Sequence, residues 1–127
     1  MPQVSLEEFD DVLRRPLYAH VATLAKDGSP RNSPVAFEWD GKVLRFSTTR
    51  RRLKARDILR NPHVAISIID PDSPLRHVQI RGIASIEDDP TAAFADRVTQ
   101  RYTGRPYKGD REARVIVTVV PNPMRKA

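Results

Sequence analysis

Arg31-Asn32-Ser33-Pro34-Val35-Ala36-Phe37-Glu38-Trp39-Asp40-Gly41-Lys42-Val43-Leu44-Arg45-Phe46-Ser47-Thr48 is the stretch that decides the fold. Its first half alternates, with Val35, Phe37 and Trp39 on one face of a strand over 31–39 and Asn32, Pro34, Ala36 and Glu38 on the other. Asp40-Gly41 is a dipeptide favoured in tight hairpin turns, and Val43 to Thr48 continues as the return strand. Upstream, Leu17 to Ala25 reads as a strand ending at a second such turn, Asp27-Gly28. Parallel strands need a long crossover, so three strands joined this tightly form an antiparallel meander.

Working outward, Ser5-Leu6-Glu7-Glu8 has the form of a capping box, and it opens a helix with Leu6, Phe9, Val12 and Leu13 inside, stopped by Pro16. Thr49 can cap a second helix running to about Leu59, with Ala55, Ile58 and Leu59 on its apolar side and Asn61-Pro62 ending it. His63 to Asp70 returns as a strand, and Asp70-Pro71-Asp72-Ser73-Pro74 is a rigid turn. Val78, Ile80, Ala84 and Ile86 then alternate with His77, Gln79, Arg81 and Ser85. Asp89-Pro90 reads as an N-cap and first-turn proline, before a helix whose inner stripe is Phe94, Ala95, Val98 and Tyr102 and whose end is Gly104. Arg105 to Asp110 is a loop. Val115 to Val120 is apolar on both faces, which suits a central strand or one covered by a second subunit. About six strands and three helices without βαβ alternation predict an α+β antiparallel barrel, a single domain over 1–127.

Composition sets the class of partner. A chain of 127 residues keeps a high surface fraction, so dimerisation would help it bury area. It has no cysteine, which removes disulfides, thiolate metal sites and cysteine nucleophiles and fits a reducing cytoplasm. Met1 to Arg15 carries acidic residues and no apolar run, so neither a signal peptide nor a membrane span is expected. The net charge of +6 points to an anionic partner, a phosphate cofactor or a nucleic acid.

The cations concentrate in Ser47-Thr48-Thr49-Arg50-Arg51-Arg52-Leu53-Lys54-Ala55-Arg56. Positive side chains in the opening turns of a helix conflict with its dipole by about 0.3–1 kcal/mol each, and a bound anion reverses that sign. The three hydroxyls and flanking cations therefore read as a phosphate cradle, against the alternative of solvated arginines. Beside it, the small residues Asn32, Pro34 and Ala36 leave a flat strand face suited to a planar ring; the alternative is an ordinary edge strand limited by its proline. His20, His63 and His77 lack ligand spacing, and no metal site is expected. Neither a nucleophile elbow nor a phosphate-loop or dinucleotide glycine motif is present.

The ordered set His20-Val21-Ala22-Thr23-Leu24, Asp27-Gly28-Ser29-Pro30, Ser33-Pro34-Val35-Ala36-Phe37, Phe46-Ser47-Thr48-Thr49, Lys54-Ala55-Arg56, Asp70-Pro71, Val78-Gln79-Ile80-Arg81-Gly82 and Arg101-Tyr102-Thr103-Gly104-Arg105-Pro106-Tyr107 resembles the F420-dependent branch of the pyridoxamine-phosphate-oxidase-like split barrels. The resemblance covers roughly Leu17 to Pro121. It implies a homodimeric split β-barrel with cofactor sites between subunits and an oxidoreductase that uses reduced F420 as hydride donor to a small conjugated or planar molecule. It implies that Arg52 and Lys54, with Arg56 beside them, meet the cofactor's phosphate or acidic tail, and that Ser47, Thr48 and Thr49 line the same pocket. Pro34, Val35, Ala36 and Phe37 correspond to the strand under the deazaflavin ring, and Leu75, Arg76 and His77 approach from a neighbouring strand or subunit. No catalytic side chain is assigned. The chain departs from its relatives at Asp57, often asparagine in them, and at Leu75, often aromatic.

Three alternatives stay open at this level. The same fold can hold FMN; the protein can bind or store a cofactor without turning it over; or a small basic barrel can bind nucleic acid. The last is disfavoured because Phe37, Trp39 and Phe46 are expected inside, leaving no exposed aromatic residues interleaved with the arginines.

Overall fold

The computed structural model describes residues 3–4, 6–122 and 124–125, with side chains described from 6 to 122. Ser5, the expected cap of the first helix, lies outside the described residues. The chain runs through β1 (Gln3–Val4), a 3-10 turn (Leu6–Phe9), α1 (Asp10–Leu13), β2 (Tyr18–Leu24), β3 (Pro30–Trp39), β4 (Leu44–Thr49), α2 (Leu53–Arg60), β5 (His63–Ile69), β6 (His77–Asp88), α3 (Ala93–Thr103), β7 (Arg114–Pro121) and β8 (Met124–Arg125). Six strands close into an antiparallel barrel in the order β2-β3-β4-β7-β6-β5, while β1 and β8 pair with each other.

Alternation fills the barrel. Val35, Phe37 and Trp39 on β3, Leu44 and Phe46 on β4, Ile66 and Ile68 on β5, Val78 and Ile80 on β6 and Val117 and Val119 on β7 all point inward and are buried. Each such side chain removed from water contributes about 1.5–3 kcal/mol. β7 is bonded on both edges, to β4 and β6, as its apolar run predicts. Gly82 on β6 marks a close approach, because a Cβ there would stand 2.5 Å from the Val120 carbonyl oxygen.

One seam of the barrel is incomplete. β3 and β4 pair only at Phe37–Phe46, Glu38–Arg45 and Trp39–Leu44; below that point β3 stays with β2 and β4 stays with β7, so the two strands part. α3 lies over the opening. The Tyr102 hydroxyl accepts the Phe37 N–H at 3.1 Å and donates to the Leu17 carbonyl, and Arg101 Nη1 donates to the Phe37 carbonyl at 3.1 Å. Helix side chains thus satisfy strand backbone near the point where the ladder ends.

Two helix starts and one helix face differ from the sequence expectation. Thr49 does not cap α2: it is the buried last residue of β4, and α2 begins after a turn at Arg52, which makes no side-chain capping bond. Leu59 is 61% exposed, and the fully buried Asp57 takes an inner position beside Ala55 and Ile58. Asp89 is not the residue next to α3, since the helix begins at Ala93 behind a left-handed Ala92 (φ 58°). Its carboxylate still caps the helix from a distance, accepting the N–H groups of Phe94 at 3.3 Å and Ala95 at 3.2 Å.

Candidate functional site

The parting of β3 from β4 opens a cleft of about 470 Å³. One wall is Ser33, Pro34, Val35 and Ala36 of β3; the other is Ser47 and Thr48 of β4. Ala95, Val98 and Thr99 of α3 close a further side. Arg52 and Lys54 enter from the start of α2, Arg114 from the start of β7 and Tyr107 from the loop between α3 and β7.

The basic run divides as it meets this cleft. Arg50 is held by Asp88 at 2.7 and 3.0 Å, and Arg51 by Asp110 at 2.9 Å and Glu112 at 3.4 Å. Arg52, Lys54 and Arg114 form no ion pair among the described residues. Burial pushes the Lys54 ammonium below its ordinary pKa, and the charges of Arg52 and Arg114 push it the same way. Arg114 donates from Nη2 to Ser47 Oγ at 2.6 Å and from Nη1 to the Tyr107 hydroxyl at 3.1 Å, with its guanidinium 4.5 Å from the Tyr107 ring centre. Its Nε is buried without a partner, a state shared among the described residues only with Trp39 Nε1. Leaving a buried donor unpaired costs about 1–3 kcal/mol, more when it is charged. An anion seated between these groups relieves the repulsion among the three cations, and the uncapped N–H groups of α2 act electrostatically in the same sense. The donor set therefore fits a phosphate-bearing ligand.

Of the residues singled out from sequence, Pro34, Val35, Ala36, Ser47, Thr48, Arg52 and Lys54 come together here. Others do not line this chain's cleft. The Phe37 side chain is fully buried in the barrel core, Thr49 is buried, and Arg56 sits exposed on α2 beyond Lys54. Leu75, 96% exposed, stands in the turn between β5 and β6; His77 is exposed at the start of β6. Arg76 is tied within its own chain, to Asp11 at 2.9 Å, Asp70 at 3.1 Å and the Glu8 carbonyl at 2.6 Å. Sequence reasoning missed Ser33, Tyr107, Arg114 and the α3 residues. Arg114 opens an apolar strand, and its place opposite Thr49 becomes visible only through the β4–β7 register.

Among the described residues no three His, Asp, Glu or Cys side chains group as metal ligands, and no helix is long and apolar enough to cross a membrane. Phe37, Trp39 and Phe46 are buried and unavailable for stacking on bases.

Among solved structures, an F420 reductase superposes with a TM-score of 0.84 at 42% identity, covering 96% of each chain. A conserved hypothetical protein from Mycobacterium tuberculosis gives 0.75 at 27% identity, over 93% of this chain and 81% of that one. A heme storage protein from Vibrio cholerae, 19% identical with a TM-score of 0.67 over 94% and 92% of the two chains, shares the fold alone. No curated protein matches the chain. The family profile described as pyridoxamine 5′-phosphate oxidase matches residues 5–125. With nearly its whole length matched, the chain belongs to the pyridoxamine 5′-phosphate oxidase family.

Proposed function

We propose that the protein is an oxidoreductase that holds reduced coenzyme F420 in the cleft between β3 and β4 and serves small conjugated or planar acceptors. The observation that carries this reading is the convergence of Arg52, Lys54 and Arg114 without a carboxylate, beside a strand wall of small residues. The 42% identity to an F420 reductase favours F420 over FMN, which is the second reading and uses the same phosphate-binding groups. The volume suits a ligand of cofactor size that reaches partly beyond the cleft.

Each residue then has a task. Arg52, Lys54 and Arg114 bind the phosphate through their charge. Ser47 Oγ already accepts from Arg114, so its own proton is left to donate. Pro34 and Ala36 let a flat ring approach the strand, while Val35, Ala95 and Val98 exclude water from it. When bound, the reduced deazaflavin supplies the hydride, and the chain's contribution is to hold donor and acceptor in register. The reading includes a homodimer. Ile83 and Val120 face each other on neighbouring strands, 40% and 52% exposed, and offer an apolar contact; in this reading the protruding Leu75 belongs to a second copy's cleft.

Separate titration of the purified protein with F420 and with FMN tests the proposal. Saturable F420 binding, one per chain, weakened by Lys54→Ala, and acceptor-dependent oxidation of the reduced cofactor are expected. Absence of saturable binding for both cofactors would overturn it.

A further inference from the structure

The fully buried Asp57 is the centre of a clasp that ties α2 to β2 and β3. Thr23 on β2 and Arg31 on β3 are a directly opposed cross-strand pair, and both bind it. Thr23 Oγ1 donates to Asp57 Oδ2 at 2.8 Å; Arg31 Nε donates to the same oxygen at 2.9 Å and its Nη2 to Oδ1 at 3.4 Å. Arg60, one turn further along α2, stands 3.6 Å from Oδ1. Burial alone would raise the Asp57 pKa, but these hydrogen bonds and charges hold it below the ordinary value, so it is ionised at neutral pH.

The clasp joins the elements that carry the two halves of the site. Lys54 lies three residues before Asp57, close to the same face of α2. Ser33, which lines the cleft, is the next residue after Arg31 on the same face of β3. α2 has little else to fix its position: it lacks a side-chain cap, its buried apolar residues are Ala55 and Ile58, and Leu53 and Leu59 are 52% and 61% exposed. Hydrophobic packing is not directional, whereas a carboxylate held by two donors from two strands sets both the height and the rotation of the helix.

We propose that Asp57 is a positioning residue that sets the distance between the phosphate-binding cations of α2 and the ring-bearing wall of β3. The inference rests on the reading of the cleft as a cofactor site. It concerns the linkage between two subsites and leaves each one intact. A cofactor whose phosphate and ring must be held at once is then more sensitive to Asp57 than either part alone.

The test compares F420 with its two fragments, inorganic phosphate and the deazaflavin nucleoside that lacks the phosphate. Asp57→Ala is expected to weaken F420 by about tenfold or more while each fragment stays within about twofold of wild type, because misplacement penalises only simultaneous engagement. Asp57→Asn keeps an acceptor for Thr23 and is expected to fall between. Should Asp57→Ala fail to fold, Arg31→Met opens the same clasp from a side chain that is 40% exposed, with the same pattern expected. Unchanged F420 affinity in the folded variant, or an equal loss for F420 and inorganic phosphate, would overturn the proposal. A wild-type chain that binds neither F420 nor FMN would overturn the cofactor reading with it; wild-type binding with an indifferent Asp57 variant would overturn this inference alone.

Discussion

Two cationic clusters lie in this small barrel and are built on opposite plans. Near α1 and the turn after β5, Arg15 and Arg76 meet Asp11, Asp70 and Asp72 at 2.8–3.7 Å, so carboxylates outnumber the cations. In the cleft, Arg52, Lys54 and Arg114 meet no carboxylate at all among the described residues. The titration behaviour follows: hydrogen bonds donated to Asp11 and Asp70 push Arg76 above its ordinary pKa, while burial and two like charges push Lys54 below its own. The count of positive residues does not distinguish these places, but the balance of charge does. A balanced cluster stabilises the fold, whereas an unbalanced, partly desolvated one is relieved by a ligand of the opposite sign.

Substitutions that make one cluster resemble the other give the largest effects. Lys54→Glu puts a carboxylate beside Arg52 and Arg114, as at Arg76. It is expected to raise Tm and to weaken F420 by about a thousandfold, since it removes one charge-assisted bond and adds a repulsion; paired thermal melts and titrations check both. Arg114→Met removes the donor with the orphaned Nε, for an expected loss of about 10–100-fold in affinity with little change in Tm. Arg76→Met is the mirror experiment, with Tm lowered and the affinity of the folded protein for inorganic phosphate unchanged.

Changes of pH should separate the clusters more gently. Asp11 is held below 3.8 chiefly by its hydrogen bond from Arg76, and Asp70 chiefly by the Asp72 N–H and then by Arg76. Their contribution is fully present above 3.8 and is lost as pH falls through the lower folded values. Lys54 has the opposite sense: its folded pKa lies below 10.5, so the strain of charging it disappears as pH rises through that folded value. Thermal stability should therefore fall on the acid side, while phosphate affinity falls on the alkaline side before pH 10.5 is reached.

The strands were legible because alternation and the two Asp-Gly turns act locally, and a closed antiparallel barrel preserves both signals. The helix starts were harder to read. Thr49 has good capping chemistry, but pairing with β7 holds it in the strand. Leu59 looks like core by spacing, yet the inner position is taken by Asp57, whose partners Thr23 and Arg31 come from distant strands. The arginine run marked the right place but not the right members, since Arg50 and Arg51 are neutralised by Asp88, Asp110 and Glu112, whose proximity is tertiary. Arg114 was invisible for the same reason: a single arginine at a strand start acquires meaning only once β7 lies beside β4.

The most direct measurement is the pKa of the Lys54 ammonium by NMR, with and without saturating F420. The account predicts a value below 10.5 in the free protein that rises when the cofactor binds, because the bound anion offsets the burial and the charges of Arg52 and Arg114 that lower it. A free-protein value already at 10.5, or one that F420 leaves unmoved, would contradict it.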